Sequence, residues 1–360
     1  MIPYITLLLI LFVFSILGLF KMDYNLKIGL FYISFIILFL FSGLRYDVGM
    51  DYSSYEELYY NSLVGLNPEI KEPGWAIFFY LFRNLNIPFS NIVLLISFIS
   101  VFCVFIFIYR YSPFPFLSVL IFFCFTQYYT YSFNVMRQCM AAYIFLACLK
   151  YVEENKIVAY LFILLFLVLF VHTSSIILIP LFFVLNKKIS WWVKLLLLFV
   201  SLAMSKFVIH IFMLSETYKI YLSFDQYSSE VSLTTYILIL IGCFLFCLEV
   251  CFRKWTSSEI LMLNLSFCYF VFLSITFVFE NTPLIIVFMR VAYYFTPVLI
   301  VLIPMLIKKF FSIRSSYILV PIVAIVYSCL FLFTLSSAGK SNKLLPYRTI
   351  FSNTATINSM

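Results

Sequence analysis

Residues 157–186 read IVAYLFILLFLVLFVHTSSIILIPLFFVLN. The run is apolar except for His172-Thr173-Ser174-Ser175 near its middle. About 20 residues cross a bilayer core, so these thirty are long for one span and enough for two short ones. A single tilted helix puts every later loop on one side of the membrane, and an antiparallel pair with His172 at its apex puts them on the other. The rest of the sequence decides between the two.

Of the 360 residues, 65% are apolar and only 11% charged, and the mean hydropathy is +1.10. A water-soluble domain carries roughly a quarter of its residues as charges, so this chain has no way to fold in water without exposing large apolar faces. Its apolar runs are continuous rather than alternating, which reads as helices and not as a lipid-facing barrel. The pattern predicts an all-α, polytopic membrane helical bundle of about twelve spans: 2–20, 28–44, 91–109, 116–132, 139–152, 157–171, 174–186, 190–209, 233–252, 260–279, 291–307 and 316–335. No Ser- or Gly-rich linker interrupts them, so residues 1–360 read as one integral membrane domain, with the first segment a retained span rather than a cleaved leader. Cys243, Cys247 and Cys251 fall on one helical face without His or carboxylate partners at ligand spacing and read as small apolar residues.

Lysine and arginine fix the orientation, because short cytoplasmic loops collect them. With the 157–186 run taken as two helices, thirteen of the 23 basic residues fall inside, against five of the 15 acids. They include Lys21, Lys27, Arg110, Lys150, Lys187, Lys188, Lys194, Lys308 and Lys309. The outer side then holds ten of each sign. The whole net charge of +8 thus sits inside, spread in pairs between spans. That is a topology signal and not a nucleic-acid surface. Both termini lie outside, and residues 336–360 form a polar outer tail.

The longest outer stretch is 45–90. Its first part carries Asp47, Asp51, Glu56, Glu57, Glu69 and Glu72 against Arg45 and Lys71. Its segment GWAIFFYLFRNL, residues 74–85, is too short to span and reads as a helix lying in the interface, with Arg83 as a headgroup anchor. Four further arginines stand at outer span ends beside aromatic residues: Arg45, Arg137, Arg290 and Arg348. Each alone reads equally as an anchor. Together, on one side, they point to an anionic ligand, since a guanidinium grips phosphate with a planar fork. His172 at the hairpin apex is either a polar turn residue or a proton acceptor. Asp47, Asp51 and Glu72 are the carboxylates placed to take a proton from a hydroxyl. No outer D-x-D pair, Walker motif, Rossmann fingerprint or H-E-x-x-H occurs, so neither a chelated metal nor a cofactor is expected.

At these positions the chain resembles the EpsG family of Wzy-type bacterial polysaccharide polymerases. The resemblance rests on Arg45-Tyr46-Asp47-Val48-Gly49 with Asp51-Tyr52, Glu72-Pro73-Gly74-Trp75, and Asn134 with Met136-Arg137-Gln138. It continues with His172 before Ser174-Ser175, Arg290 with Tyr294-Phe295, and Leu345-Pro346-Tyr347-Arg348. Their order covers nearly the whole chain. One departure is the absence of a very large outer loop late in the chain, where only 210–232 is available.

The resemblance implies a GT-C-like architecture and an enzyme of the outer leaflet of the bacterial plasma membrane. The enzyme joins polyprenyl-diphosphate-linked oligosaccharide repeats into O-antigen, capsule or exopolysaccharide. On that reading Arg45, Arg137, Arg290 and Arg348 bind diphosphate, and His172, Asp47, Asp51 or Glu72 supplies the base. Donor and acceptor lipids, the membrane and a chain-length regulator are the expected partners, with no nucleic acid. A flippase of lipid-linked sugar and a membrane O-acyltransferase are the rival functions.

Overall fold

A computed structural model describes residues 1–63, 70, 72–213, 230–252 and 254–352. The roles given above to Glu69, Lys71, most of 210–232 and the tail beyond residue 352 fall outside these residues. Helices make up 78% of the structure, and no strand occurs among the described residues. A helix satisfies its own N–H and C=O groups, the condition for crossing lipid.

In chain order the helices are α1 (Ile2–Leu17), α2 (Tyr24–Gly43), α3 (Tyr52–Tyr60), α4 (Pro73–Asn84), α5 (Phe89–Tyr111) and α6 (Pro115–Cys124). Then come α7 (Met136–Ala147), α8 (Leu149–Glu153), α9 (Ile157–Phe166), α10 (Phe182–Leu185) and α11 (Trp191–Met213). The last are α12 (Leu233–Cys251), α13 (Ser257–Thr276), α14 (Ile285–Ala292), α15 (Leu299–Phe310) and α16 (Ile313–Ala338). Among the described residues, six segments are long and apolar enough to cross a membrane: Tyr24–Gly43, Phe89–Tyr111, Leu233–Cys251, Ser257–Phe279, Ile285–Phe310 and Ile313–Ala338. Five more apolar helices are shorter, at 10–17 residues. Many outward apolar side chains are bare, such as Val158, Phe162, Ile313 and Ile318, as lipid-facing surfaces require.

Packing groups the chain into two compact units, one of residues 1–150, 158–176 and 300–360, the other of 151–157 and 177–299. In the first unit the helices run between two ends. At one end Leu19, Phe114, Lys308 and Tyr317 line a common pocket, so the loops that carry the basic residues meet there. At the opposite end Tyr4 donates to the Leu344 carbonyl, Tyr347 stacks on Phe41, and Tyr52 packs on Phe89. The α6 helix stops at Cys124, well short of the predicted 132, and turns continue through Asn134. Those turns are buried and bonded: Tyr129 Oη donates to the Leu38 carbonyl and Tyr143 Oη to that of Tyr128. Irregular backbone at such depth is tolerated only under protein cover of this kind.

The 157–186 run is broken at one residue. A π-helical turn, Leu167–Val171, ends at His172, whose backbone is extended (φ −159°, ψ 121°), and a 3-10 helix, Thr173–Leu181, follows. The chain then returns on itself: Asn186 Nδ2 donates to the carbonyls of Val152 and Glu153 at 3.4 and 3.3 Å. A continuous helix would separate those residues by about 50 Å.

In the second unit, Ser258 Oγ bonds Glu153 and Asn264 Nδ2 bonds the carbonyls of Leu185 and Lys187. The loops at 153–156, 186–190 and 252–257 therefore share one end. Lys194, counted above with the loop cations, is instead fully buried in the first turns of α11. There it meets Glu249 at 2.6 and 2.7 Å. Its register turns it inward, so these two charges cancel in the loop count.

Candidate functional site

Glu72 opens α4. Its backbone carbonyl receives the N–H groups of Trp75 and Ala76, while Pro73 occupies the first helical position, where a missing N–H costs nothing. The side chain does not cap its own helix. It reaches His172, Thr173 and Arg137. Oε1 lies 3.0 Å from His172 Nδ1, and 3.2 Å from both the backbone nitrogen and the hydroxyl of Thr173. Oε2 accepts from Arg137 Nη1 at 2.5 Å. The carboxylate is only 4% exposed, whereas the Arg137 and His172 side chains keep 19% and 26% of their surface open.

Two local features bring these groups together. The single extended residue at His172 ends the π-helical turn, leaving the Thr173 N–H free of the preceding helix to meet a carboxylate. Gly74 lets α4 lie directly on that turn, since a Cβ there would stand 2.7 Å from the Phe170 Cα.

Burial pushes the Glu72 carboxyl up. The hydrogen bond from His172, the charges of Arg137 and His172 and the Thr173 N–H outweigh it and bring the carboxyl down to about 2. An ionised carboxylate only accepts hydrogen bonds. His172 Nδ1 therefore carries a proton, and in the neutral ring the lone pair is on Nε2. Arg137 also lies over the Tyr55 ring at 5.5 Å, and its Nε is buried without a hydrogen-bond partner. The cluster thus offers an oriented imidazole acceptor beside a guanidinium with an unused donor.

Arg45 is placed differently. It is 1% exposed. Nη1 bonds the Ser42 carbonyl and the Ser42 and Ser97 hydroxyls, Nη2 meets Met136 Sδ at 3.0 Å, and the guanidinium covers the Phe133 ring at 4.5 Å. Burial lowers its pKa to about 10, with Tyr52 and other tyrosines acting the opposite way, so it stays a cation at neutral pH. It ties the end of α2 to α5 and to the turn before α7.

Arg348 Nη1 stands 4.0 Å from Asp47 Oδ2, with 56% and 42% of the two side chains exposed. A pair so open to water contributes little stability. Asp51 precedes α3 at the same 46–51 turn. Arg290 lies in the last turn of α14, in the second unit, while the Glu72 cluster, Arg45, Asp47, Asp51 and Arg348 all belong to the first. Sequence reading had singled out neither Tyr55 nor the Thr173 donors. Nothing in their spacing marks them, because Glu72 is 101 residues from Thr173.

A model described as the EpsG family matches residues 28–349. No curated protein and no solved structure matches the chain.

Proposed function

The chain belongs to the EpsG family of membrane polysaccharide polymerases, and from that premise we propose that it is a glycosyltransferase joining polyprenyl-diphosphate-linked oligosaccharide units. The observation that carries the reading is the Glu72 carboxylate, buried between an oriented histidine and an arginine whose side chains remain partly open. An acceptor hydroxyl gives its proton to His172 Nε2 as its oxygen bonds the donor's anomeric carbon. The bond from that carbon to the diphosphate breaks, and the configuration inverts. Glu72 is a poor base with its carboxyl near 2. Its part is to orient the ring and stabilise the imidazolium that forms. Arg137, with Arg348, meets the diphosphate, whose charge grows as it leaves. Arg45, closed off from any ligand, braces the site instead. Asp47 and Asp51 belong to the rim.

The side of the membrane follows from charge. In the first unit the cluster stands at the end opposite the loops that carry Arg110, Lys308 and Lys309. Positive loops stay inside, which supports a site facing the outer leaflet; the family suggests that the membrane is the bacterial plasma membrane. The five short apolar helices and α7, counted as crossings with the six long ones, keep the twelve-span reading and its GT-C-like bundle. The return of the chain at Asn186 supports the crossing pair on which the alternation depends.

The test is the surface glycan of a deletion strain, complemented with wild type or with His172→Ala. Polymerase function predicts glycan of a single repeat unit from the deletion and from the variant, and long chains from wild type. A deletion without any surface glycan supports a flippase instead, and long chains that lack only acyl groups support an acyltransferase. Either result overturns the proposal.

A further inference from the structure

Arg137 is aimed by more than its bond to Glu72. Its helix starts from the turn 131–135, and that turn is held from outside by two other segments. Met50 donates its backbone N–H to Asn134 Oδ1 at 2.6 Å. Gly49, at φ +105°, lies so close that a Cβ would stand 2.9 Å from the Phe133 carbonyl carbon. Residues 44–50 are in turn fastened to the C-terminal segment. Tyr46 N donates to the Arg348 carbonyl, Ile350 N to that of Leu44 and Gly49 N to that of Lys343, each at 3.0 Å. Tyr347 stacks on Phe41 with ring centres 4.2 Å apart, and its hydroxyl donates to the Phe41 carbonyl at 2.5 Å.

We propose that Asn134 is a positioning residue for the transfer reaction, and that with the C-terminal segment 343–350 it sets the aim of Arg137. This inference rests on the glycosyltransferase reading above. The segment is outwardly a polar tail beyond the last span, where chains are commonly loose. Here it forms bonds with backbone on the far side of the sequence, some 300 residues away. The Asn134 side chain joins that block to the turn before α7 by a hydrogen bond, beside the Arg45 contacts with Phe133 and Met136. An amide oxygen suits the task because it accepts the Met50 N–H. Holding a reacting partner in place is worth large factors in rate, and a displacement of about 1 Å costs about a hundredfold.

The experiment is a double-variant cycle on the full chain in membranes, with lipid-linked repeat units as substrate and variant levels matched to wild type. Asn134→Leu keeps the side-chain size and loses the acceptor. It should lower kcat about tenfold or more. Asn134→Asp keeps an acceptor oxygen and should recover most of that rate. In an Arg137→Ala background, Asn134→Leu should cost almost nothing further, because the group it serves is gone. Tyr347→Ala should follow the same pattern more weakly. Multiplicative losses in the cycle overturn the proposal and make Asn134 an ordinary structural residue. So does a fully active Asn134→Leu. If Asn134→Leu does not accumulate, Asn134→Ser, with its shorter acceptor, runs the same cycle. A normal rate for Arg137→Ala by itself overturns instead the reading of the site on which the proposal stands.

Discussion

Each unit holds a buried carboxylate–cation pair, Glu72 with Arg137 in one and Glu249 with Lys194 in the other, and the two are built differently. In the second unit Glu249 grips Lys194 with both oxygens. The lysine has no exposed surface, and beyond the carboxylate it faces the Phe267 ring at 5.3 Å. That pair is closed: both charges are spent on each other. In the first unit Glu72 is as deeply placed, but its oxygens are shared among a histidine, a threonine and an arginine, of which the histidine and the arginine remain partly open. Burial of an ion pair is therefore no mark of a site. The mark is a buried carboxylate whose partners still reach the surface, here His172 and Arg137.

The largest effect expected from this contrast is at His172. If the ring is the proton acceptor, His172→Ala should cut the rate of chain extension by about a hundred- to ten-thousandfold, with membrane levels unchanged. Arg137→Ala comes next, at about ten- to a hundredfold, from the loss of charge-assisted bonds to the diphosphate. Arg137→Lys should recover only part, since a point charge lacks the guanidinium fork. Glycan length in cells and repeat-unit transfer in membranes read both. Wild-type chains from His172→Ala would reduce the Glu72 cluster to the same standing as the Lys194 pair.

How much of this was legible in the sequence differs from one part to the next. The break at His172 was, because four polar residues interrupt a thirty-residue, otherwise apolar run and the loop charges demand a reversal there. The helix at 73–84 was too, because a short apolar stretch that ends at Arg83 and Asn84 is too short to span and still reads as a helix. The meeting of Glu72 with His172 was not. Each was a separate candidate base, 100 residues apart, and contact at that separation comes from tertiary packing that periodicity does not encode. Arg45 and Arg137 looked alike in sequence, both at outer span ends beside aromatics. The neighbours that close off Arg45, Ser97 from α5 and Phe133 from the turn before α7, come from other helices. Lys194 was misplaced for the same reason: at the start of a span, register decides whether a lysine faces water or a glutamate.

The Lys194 pair supplies the next test, and it acts on protein level rather than chemistry. Lys194→Met leaves Glu249 as a buried charge without its partner, which costs on the order of 3–5 kcal/mol, and the variant should accumulate poorly. Replacing both, Lys194→Met with Glu249→Leu, removes the unpaired charge and should restore the membrane level. Activity per molecule should then equal wild type. A restored level with lost activity would mean that this pair, too, serves the reaction.

A smaller effect is expected from pH. The Glu72 carboxyl lies near 2 in the folded protein against 4.5 ordinarily. The unfolded chain therefore binds the proton more readily. The stability that Glu72 contributes is complete above about pH 4.5 and drains away as pH falls toward 2. Thermal unfolding in detergent should show a constant gap between wild type and Glu72→Gln above about pH 5. The gap should narrow below that. A gap that already closes near neutrality would mean that the carboxylate is not held by Arg137 and His172 as described.

The smallest expected effect is that of a chelator. In a metal-dependent transferase the diphosphate is neutralised by a divalent cation held on carboxylates. Here the groups assigned to that charge are arginines, and the rim acids lack the spacing of a chelating pair. Asp47 instead faces Arg348. Purified protein in lipid should thus extend chains at an unchanged rate after EDTA treatment. Loss of activity restored by Mg²⁺ or Mn²⁺ would reverse the assignment. Asp47 and Asp51 would then carry the leaving group through a metal, Arg348 would be their counter-charge, and Arg137 would serve only to hold Glu72. The two outcomes also differ in the variants. Asp47→Asn should be nearly silent if arginines do the work, and should abolish transfer if a metal does.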